Sequence, residues 1–378
     1  MEKPKKYLII GHGLAGSILA WTLRKLGHGV VLVGSSKKFG SSSRASQGLI
    51  SPISGLRFSK TYGVERCFPA AERFYREVSQ VFGKDVFHRQ TMTRVFRSTT
   101  VRDTFLGRLD RGYYGNLVDR VNLPGSLGKS IQDEYGSMVF TGAKVDVSTM
   151  LTEMHREFEQ EAVLHREPFQ YQELRCESSD HVSWRDQVFS AVVFCEGVGV
   201  RANPWFHWIP IAPIKGQILT IRENRALKSD MRTLFGDSRT NSLQKSCWIV
   251  PAGGSSDCWK VGATYEREFE GLEPDDRGTE QLLDKLRDTS PDWSELEVVN
   301  QIAGARPCSE DKKPILGAHP VNQKFYCFNG FGSKGCLWIP FWAGRLAGIL
   351  GNPAERLDSE VDIKRYFKIH DSTHADSP

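Results

Sequence analysis

The chain has 378 residues, of which 39% are hydrophobic and 25% are charged, the proportions of an ordinary globular protein. A chain of this length is expected to form two domains, because single hydrophobic cores stop growing near roughly 250–300 residues. The net charge of +5 is mild and no run of Lys and Arg exceeds two residues, so the charge pattern does not indicate a nucleic-acid-binding protein.

The eight cysteines include no C-x-x-C pair and no spacing typical of metal ligands. Several lie in apolar runs, where a free thiol behaves as a small hydrophobic side chain. We therefore expect a reducing, cytoplasmic setting and no bound metal. No stretch reaches the roughly 18 apolar residues of a membrane span, and the first apolar run is too short for a signal peptide.

The chain opens with an apolar run at residues 7–10, the glycine-rich turn Gly-His-Gly-Leu-Ala-Gly at residues 11–16, a helix-like stretch at 17–26 and a second apolar run at 30–33. This order of strand, turn, helix and strand predicts a dinucleotide-binding βαβ unit. His12 is interpreted as a bystander in the turn.

Each glycine of the turn has a separate expected role. Gly11 permits the tight turn, Gly13 lets the backbone approach a pyrophosphate, and Gly16 lets the helix pack closely on the strand. The N–H groups at the start of the helix, those of Leu14 and Ala15, are expected to face the phosphates.

The second strand lacks the acidic residue that usually binds a ribose hydroxyl at its end. It ends in Gly34 and Ser35, followed by Ser36, Lys37 and Lys38, a sequence suited to the 2′-phosphate of NADP. The opening motif alone therefore leaves FAD, NAD and NADP open and disfavours NAD. An NADP-binding protein without flavin is one alternative.

A segment of small and polar residues follows, from Ser42, Ser43 and Arg44 to the turn at Gly48. Ser hydroxyls and free backbone N–H groups suit a phosphate, although a solvated linker has the same composition. Helical spacing of apolar residues predicts a helix over residues 66–82, whereas residues 85–142 look strand-like and irregular.

The rest of the chain alternates strands and helices. A helix is predicted from Asp146 or Ser148 to about residue 160, then a short strand at 162–165 and a hairpin at 169–188. An apolar strand then leads into Glu196 and Gly197. Further on, the predicted elements are a strand at 218–221, paired strands at 247–251 and 258–264, a helix at 276–289, a strand at 295–306, a strand–glycine turn–helix unit from 326 to 350, and a disordered tail at 369–378.

The order of these motifs resembles the FAD-dependent D-amino-acid oxidase superfamily, in particular its glycine oxidase and sarcosine oxidase branch. Four motifs carry the resemblance: residues 11–16; residues 42–52; Glu196-Gly197 with Pro-Ile-Lys-Gly-Gln at 213–217; and Gly-Ala-Arg-Pro at 304–307 with Asp311, Pro-Ile-Leu-Gly at 314–317 and Gly-x-Gly-x-x-Gly at 330–335. Together they span nearly the whole chain, and the fourth is the most specific.

The resemblance implies an α/β fold in which a Rossmann-like FAD-binding domain carries an inserted, mainly antiparallel β-sheet substrate domain. The FAD-binding domain would comprise residues 1–82, 143–206 and 298–368, and the substrate domain residues 83–142 and 207–297. FAD is thereby favoured over NADP, and Gly34 becomes a departure from a family that usually has Glu there.

The resemblance also implies the residues that contact FAD. Val163 would meet the adenine through its backbone, and Lys334 would lie near the flavin pyrimidine or the phosphates. Gly304, not Cys308, stands where some members carry a flavin-binding cysteine, so we expect non-covalent FAD. The full expected set is Gly11, Gly13, Leu14, Ala15, Gly16, Gly34, Ser35, Ser42, Ser43, Arg44, Gly48, Leu49, Ile50, Val163, Gly197, Gly332, Ser333, Lys334, Gly335, Cys336 and Leu337.

Members of the family oxidise the C–N bond of an amine or amino acid by hydride transfer to flavin, with dioxygen or another acceptor reoxidising the cofactor. Arg306 stands at the position of the arginine that binds the substrate carboxylate, a role that suits a guanidinium; a structural salt bridge with Asp311 is the alternative. Lys260 aligns with an oxygen-activating lysine but could point to solvent, and Arg57 is expected on the substrate face of the flavin.

A second enzyme of the same fold remains open, namely a flavin-dependent oxidase of a modified wobble base in tRNA. The mild positive charge permits this alternative, whereas the lack of a basic tract and of a fused methyltransferase argues against it. Small-molecule amines or amino acids are therefore the favoured substrates.

Overall fold

The computed structural model describes residues 3–35, 42–176, 181–222, 235, 240–252, 257–352 and 354–367. The helices are α1 (Leu14–Lys25), α2 (Val64–Phe82), α3 (Thr99–Asp110), α4 (Val147–Gln160), α5 (Asp276–Thr289) and α6 (Gly335–Gly351). The strands are β1 (Lys6–Ile10), β2 (Gly29–Val33), β3 (Leu49–Ile50), β4 (Ile53–Ser54), β5 (Ser59–Lys60), β6 (Phe87–Val95), β7 (Arg120–Asn122), β8 (Ser137–Val145), β9 (Leu164–His165), β10 (Leu174–Cys176), β11 (Val182–Trp184), β12 (Gln187–Phe189), β13 (Ala191–Phe194), β14 (Ile211–Arg222), β15 (Asn241–Gln244), β16 (Trp248–Pro251), β17 (Cys258–Gly262), β18 (Glu297–Ser309), β19 (Ile315–Ala318) and β20 (Phe325–Asn329).

A six-stranded sheet forms the first half of the architecture, with the order β19-β20-β13-β1-β2-β9. Its neighbours are parallel except for β19 and β20. Ile10 pairs with Val33 on one side and with Phe194 on the other, so β1, β2 and β13 end at the same edge. Ligands of open parallel sheets bind at this carboxyl edge, and the first glycine turn opens there.

The six-stranded sheet is buried on both faces. Tyr7 and Ile9 pack into a core shared with α1, α2, α4 and α6. Leu8 and Ile10 face the opposite side, where Trp184 and other residues of a small sheet, β10-β11-β12, cover them. Burial on both faces explains why β1 and β2 read as continuous apolar runs.

A nine-stranded sheet forms the second half, in the order β18-β14-β17-β16-β15-β6-β8-β3, with β7 added on β8. All its pairs are antiparallel except β15 with β6. The α/β class, with a parallel sheet and a mainly antiparallel second sheet, is therefore confirmed. The limits of the two domains stay predictions; β3 and β18, from opposite ends of the chain, both belong to the nine-stranded sheet.

Local structure departs from the expected elements at several points, among them residues 85–142 and the segment after Glu196. The irregular segment 85–142 contains helix α3 in addition to strands, and the residues after Glu196 form a 3-10 helix, Gly197–Ala202. Ser36, Lys37, Lys38 and the tail at 369–378 lie outside the described residues.

All eight cysteines are free thiols. Within the described ranges, no helix is both long and apolar enough to cross a membrane. The reducing, cytoplasmic setting stays a prediction.

Candidate functional site

A cavity of about 1100 Å³ lies between the carboxyl edge of the six-stranded sheet and the nine-stranded sheet. Most of the expected cofactor residues line it: Gly11, Gly13, Leu14, Ala15, Gly34, Ser35, Ser42, Ser43, Arg44, Gly48, Leu49, Gly197, Gly332, Ser333, Lys334, Gly335 and Cys336. Arg306 lines the part formed by the nine-stranded sheet. One cavity thus brings together residues from five separate segments of the chain.

The first glycine turn leaves no room for side chains. Gly11 has a φ of +103°, and a Cβ there would lie 2.4 Å from the carbonyl oxygen of Cys195. A Cβ on Gly16 would lie 1.8 Å from the carbonyl oxygen of Gly11, so α1 starts in direct contact with the turn. The first turn of α1 carries no acidic residue and borders the cavity, an arrangement that fits the pyrophosphate of FAD.

Ser43 reaches the start of α1 from the polar segment. Its Oγ accepts a hydrogen bond of 2.9 Å from the N–H of Leu14. The polar segment therefore folds over the glycine turn instead of extending into solvent as a linker. This contact places Ser42, Ser43 and Arg44 on the cavity wall.

His12 is more than a bystander, because its ring fills the space beside Gly34. A Cβ on Gly34 would lie 2.7 Å from Cδ2 of His12. The ring meets His155 edge to face at 5.1 Å, and Nε2 of His155 lies 3.0 Å from the carbonyl oxygen of His12. Burial lowers the pKa of His12 and, to about 4, that of His155, so both rings are neutral at pH 7.

Two cations lie near the late glycine turn. Burial, together with the neighbouring charge of Arg94, lowers the pKa of Lys334 to about 8. Arg94 is 5% exposed; it donates to the carbonyl oxygens of Ile53 at 3.3 Å and Gly55 at 3.0 Å. Its guanidinium also stacks on Phe58. Positive charge at this wall would stabilise an anionic group bound in the cavity.

Arg306 is held without a carboxylate partner among the described residues. Its Nη1 and Nη2 donate to the carbonyl oxygen of Thr264 at 3.3 and 3.4 Å. The expected alternative partner, Asp311, instead accepts from Arg365 at 2.9 Å. Burial lowers the pKa of Arg306, a sign that its charge lacks full compensation.

A buried polar network fixes the wall behind Arg306. Thr264 and Gln217 both donate to Glu266, and Nε2 of Gln217 lies 3.1 Å from Oε1 of that carboxylate. Lys215, 3% exposed, forms an ion pair of 2.6 Å with Asp275 at the N-terminus of α5. Gly216 makes room for the guanidinium, since a Cβ there would lie 2.0 Å from Nη2 of Arg306.

Glu196 closes the cavity at the end of β13. Its carboxylate accepts hydrogen bonds from the hydroxyl of Tyr171 at 2.5 Å and from Nδ2 of Asn203 at 2.7 Å. Burial raises the pKa of Glu196 to about 7 in spite of these two donors. The carboxyl group is therefore only partly ionised near neutral pH.

Lys260 and Arg57 do not line the cavity. Lys260 is half-buried on β17, so it does not simply extend into solvent, and burial lowers its pKa. Arg57 is exposed on the turn between β4 and β5, and its carbonyl oxygen accepts from Arg108. Arg57 is therefore not part of the cavity lining, whereas Arg94 is.

Four of the expected cofactor residues do not line the cavity. Gly16, Ile50 and Leu337 are buried in packing contacts. Val163 is hydrogen-bonded on both sides, from its N–H to Phe158 and from the N–H of Leu32 to its carbonyl oxygen. Val163 does not line the cavity, and its contact with the adenine stays a prediction.

Cys308 lies at the cavity wall beside the late glycine turn, where a Cβ on Gly332 would be 3.3 Å from its Sγ. Burial raises the pKa of this thiol, which keeps it protonated and weakly nucleophilic. Gly304 is buried in β18 and does not line the cavity. Non-covalent binding of FAD stays the prediction.

The sequence motifs did not point to His12, Arg94, His155 or Glu159 as lining residues. The only available signal concerned His12, which stands inside the glycine motif. The others reach the cavity because β6 and α4 pack against it, and no local pattern encodes that packing.

A family model described as FAD dependent oxidoreductase (DAO) matches residues 6–348. The chain is 30% identical over 141 residues to the tRNA 5-methylaminomethyl-2-thiouridine biosynthesis bifunctional protein MnmC of Idiomarina loihiensis, covering 37% of this chain and 21% of that protein. It is 31% identical over 144 residues to the glycine oxidase of Bacillus licheniformis, covering 38% of this chain and 36% of that enzyme. The chain thus spans about a fifth to a third of these curated relatives.

Solved structures match over nearly the whole chain. The glycine oxidase of Geobacillus kaustophilus superposes with a TM-score of 0.75 at 19% identity, covering 96% of this chain and 99% of that one. The L-proline dehydrogenase of P. horikoshii gives a TM-score of 0.74 at 14% identity, with 97% and 99% covered. At these identities the structural likeness shows the fold alone.

Proposed function

The chain belongs to the DAO family of FAD dependent oxidoreductases, and on this premise we propose that it oxidises the C–N bond of a small amino acid or of an amine that carries a carboxylate. The family confirms the expected superfamily, the enzymatic character and FAD as the cofactor, and it favours FAD over NADP. The substrate, the transfer of a hydride and the electron acceptor belong to the proposal.

The position of Arg306 carries the proposal. Its guanidinium lines the cavity and is largely withdrawn from water, and among the described residues its hydrogen-bond acceptor is the carbonyl oxygen of Thr264. A desolvated guanidinium gains most from a carboxylate, which can accept two parallel hydrogen bonds. A carboxylate bound here would be fixed in distance and orientation relative to the rest of the cavity.

When bound, FAD supplies the two-electron oxidation, for which we propose a hydride from the carbon next to nitrogen. The chain contributes orientation and exclusion of water. Arg306 would hold the carboxylate, while Ile218, Trp248 and Tyr265 form the walls that limit what else fits. Lys334, whose pKa is lowered to about 8, would keep a cation at the late glycine turn below that pH.

The experiment compares the wild type with Arg306→Ala and Arg306→Lys. Each FAD-loaded protein is mixed without oxygen with a panel of amino acids and amines, and loss of the oxidised-flavin absorbance is followed. Arg306→Ala should retain FAD while KM for the carboxylate substrate rises roughly 100-fold or more, because a charged hydrogen-bonded pair is lost. Arg306→Lys should lie between the two, since a lysine cannot bind a carboxylate bidentately.

Arg267→Ala is the matched control, since Arg267 is exposed three residues beyond Thr264 in the sequence and should leave KM unchanged. Unchanged turnover in Arg306→Ala would contradict the proposed carboxylate anchor. If no small molecule bleaches the flavin, the proposed substrate class fails.

A tRNA substrate is the second candidate, favoured by the similarity to two MnmC proteins. The same bleaching experiment tests it with total tRNA at two salt concentrations. Flavin reduction by tRNA that weakens steeply with salt would support this candidate, because phosphate contacts release counterions. Reduction by small substrates alone would count against it.

A further inference from the structure

The βαβ unit contains no carboxylate that could bind a ribose hydroxyl. After Glu2, the first Asp or Glu in the sequence is Glu65. The βαβ unit and the polar segment after it, including the part outside the described residues, therefore contain no acidic side chain. If a carboxylate binds the adenosine ribose of FAD, it must come from another part of the fold.

His12 also closes the usual position to an acidic side chain. A Cβ on Gly34 would lie 2.7 Å from Cδ2 and 3.2 Å from the backbone nitrogen of His12. A Cβ at 2.7 Å from another carbon overlaps it strongly, and His12 is itself packed against His155. With His12 packed in this way, glycine is the residue that fits at the end of β2 without overlap.

Among the described residues that line the cavity, the acidic ones are Glu159 and Glu196. Both carboxylate oxygens of Glu196 are already occupied, by Tyr171 and Asn203. Glu196 also follows β13, which lies on the other side of β1 from β2. It is therefore neither free nor on the side of the ribose position.

Glu159 meets both requirements. It lies on the last turn of α4, and its Oε1 accepts from Nε of Arg166, the residue that follows β9. β9 is the neighbour of β2, and the N–H of Gly34 donates to the carbonyl oxygen of His165 at 3.1 Å. The ion pair with Arg166 thus holds Glu159 at the end of β2, and its Oε2 accepts no hydrogen bond from the described residues.

We propose that Glu159, oriented by Arg166, is the carboxylate that binds the adenosine ribose hydroxyls of FAD in this chain. Two vicinal hydroxyls can donate to one carboxylate, which is the chemistry of the acidic residue that is missing at Gly34. The assignment depends on FAD binding and not on the substrate proposed above, so it can fail or hold independently of that proposal.

The test measures the affinity of the flavin-free full-length chain for FAD and for an FAD analogue whose adenosine carries a 2′,3′-dideoxyribose. Glu159→Ala should bind FAD about tenfold more weakly, because charged hydrogen bonds are lost, and should bind the analogue like the wild type. Glu157→Ala is the matched control. Glu157 lies on the same helix, pairs with Arg24 and does not line the cavity, so both affinities should stay unchanged.

Equal affinity of Glu159→Ala and wild type for FAD would overturn the assignment. An equal loss for FAD and for the analogue would also overturn it, since that result indicates a structural role.

A relocation experiment tests the steric argument. In the Glu159→Ala background, adding Gly34→Glu alone should leave the affinity for FAD low. Adding both His12→Ala and Gly34→Glu should raise the affinity for FAD about tenfold, back to the wild-type value. If Gly34→Glu restores affinity while His12 is present, the exclusion by His12 is contradicted. Thermal melts of each variant verify that the chain remains folded.

Discussion

Glu196 lines the cavity, and its burial there disfavours ionisation of its carboxyl group. Burial raises its pKa from the ordinary value of 4.5 to about 7, while the hydrogen bonds from Tyr171 and Asn203 act in the opposite direction. The two donors therefore do not replace the water that an ionised carboxylate loses. The consequence is a specific dependence of stability on pH.

Because the pKa of Glu196 is raised in the folded state, its contribution to stability is fully present below pH 4.5 and is lost as the pH rises through about 7. Across this window the wild type should lose roughly 3 kcal/mol of unfolding free energy relative to Glu196→Gln. A glutamine can accept from Asn203 and donate to Tyr171, so the variant should fold. Urea denaturation of the flavin-free proteins at several pH values measures the difference; parallel curves would contradict it.

Sequence motifs identified the cavity residues that lie in glycine turns or inside a recognisable motif, as Ser43 and Arg306 do. Gly11, Gly13 and Gly332 are encoded by local turns, so a spacing of a few residues is enough to find them. Arg94 and Glu159 act through side chains that β6 and α4 bring to the cavity from elsewhere. Val163 was inferred from the resemblance alone; its N–H and carbonyl groups bond to Phe158 and Leu32, and its role at the adenine stays a prediction.

At the scale of the elements, Gly16 of α1 and Gly344 of α6 are helical glycines with opposite surroundings. Gly16 of α1 touches the first turn, since its Cβ would lie 1.8 Å from the carbonyl oxygen of Gly11. Gly344 of α6 is exposed, and a Cβ there would meet nothing within 4 Å. The same substitution should therefore have opposite effects at the two sites.

Gly16→Ala should displace α1 from the turn, lower stability and weaken FAD binding by at least about tenfold, because the phosphate-binding N–H groups move with the helix. Gly344→Ala should raise stability by about 0.5–1 kcal/mol, since alanine favours the helix and the position is open. FAD titration and thermal unfolding of both variants provide the measurement. Tight FAD binding by Gly16→Ala would show that the turn tolerates a side chain.

The helices with a clear apolar stripe and a cap were predictable from the sequence. The predicted limits of α2, α4 and α5 agree with the structure within two residues. Helix α3 was missed, because of its side chains only Phe105 is fully buried, and it therefore lacks a strong apolar period. Strand β14 extends beyond the predicted strand at 218–221 and includes Pro213. At Pro213 it pairs with β18 and, among the described residues, has no strand on its other edge, where a proline is tolerated.

At the scale of the whole molecule, the cavity joins the two sheets. Its lining includes the turn after β1, the polar segment that leads to β3, the ends of β13 and β17, Arg306 of β18 and the late glycine turn. These segments are distant in sequence, so their spacing depends on both sheets being packed against each other. A ligand that contacts all of them binds the assembled fold and not its separate parts.

FAD should therefore stabilise the protein as a single unit. Ligand that binds only the folded state adds about 2.7 kcal/mol at 100 times its Kd and about 4.1 kcal/mol at 1,000 times its Kd. The melting temperature should rise steadily with FAD concentration, with both sheets unfolding in one transition. FMN lacks the adenosine and its phosphate, the part of FAD that the first glycine turn is expected to bind. At the same concentration, FMN should therefore raise the melting temperature of the protein far less than FAD. Calorimetry with each cofactor measures this, and an equal effect of FMN and FAD would mean that the glycine turn at the end of β1 contributes little to cofactor binding.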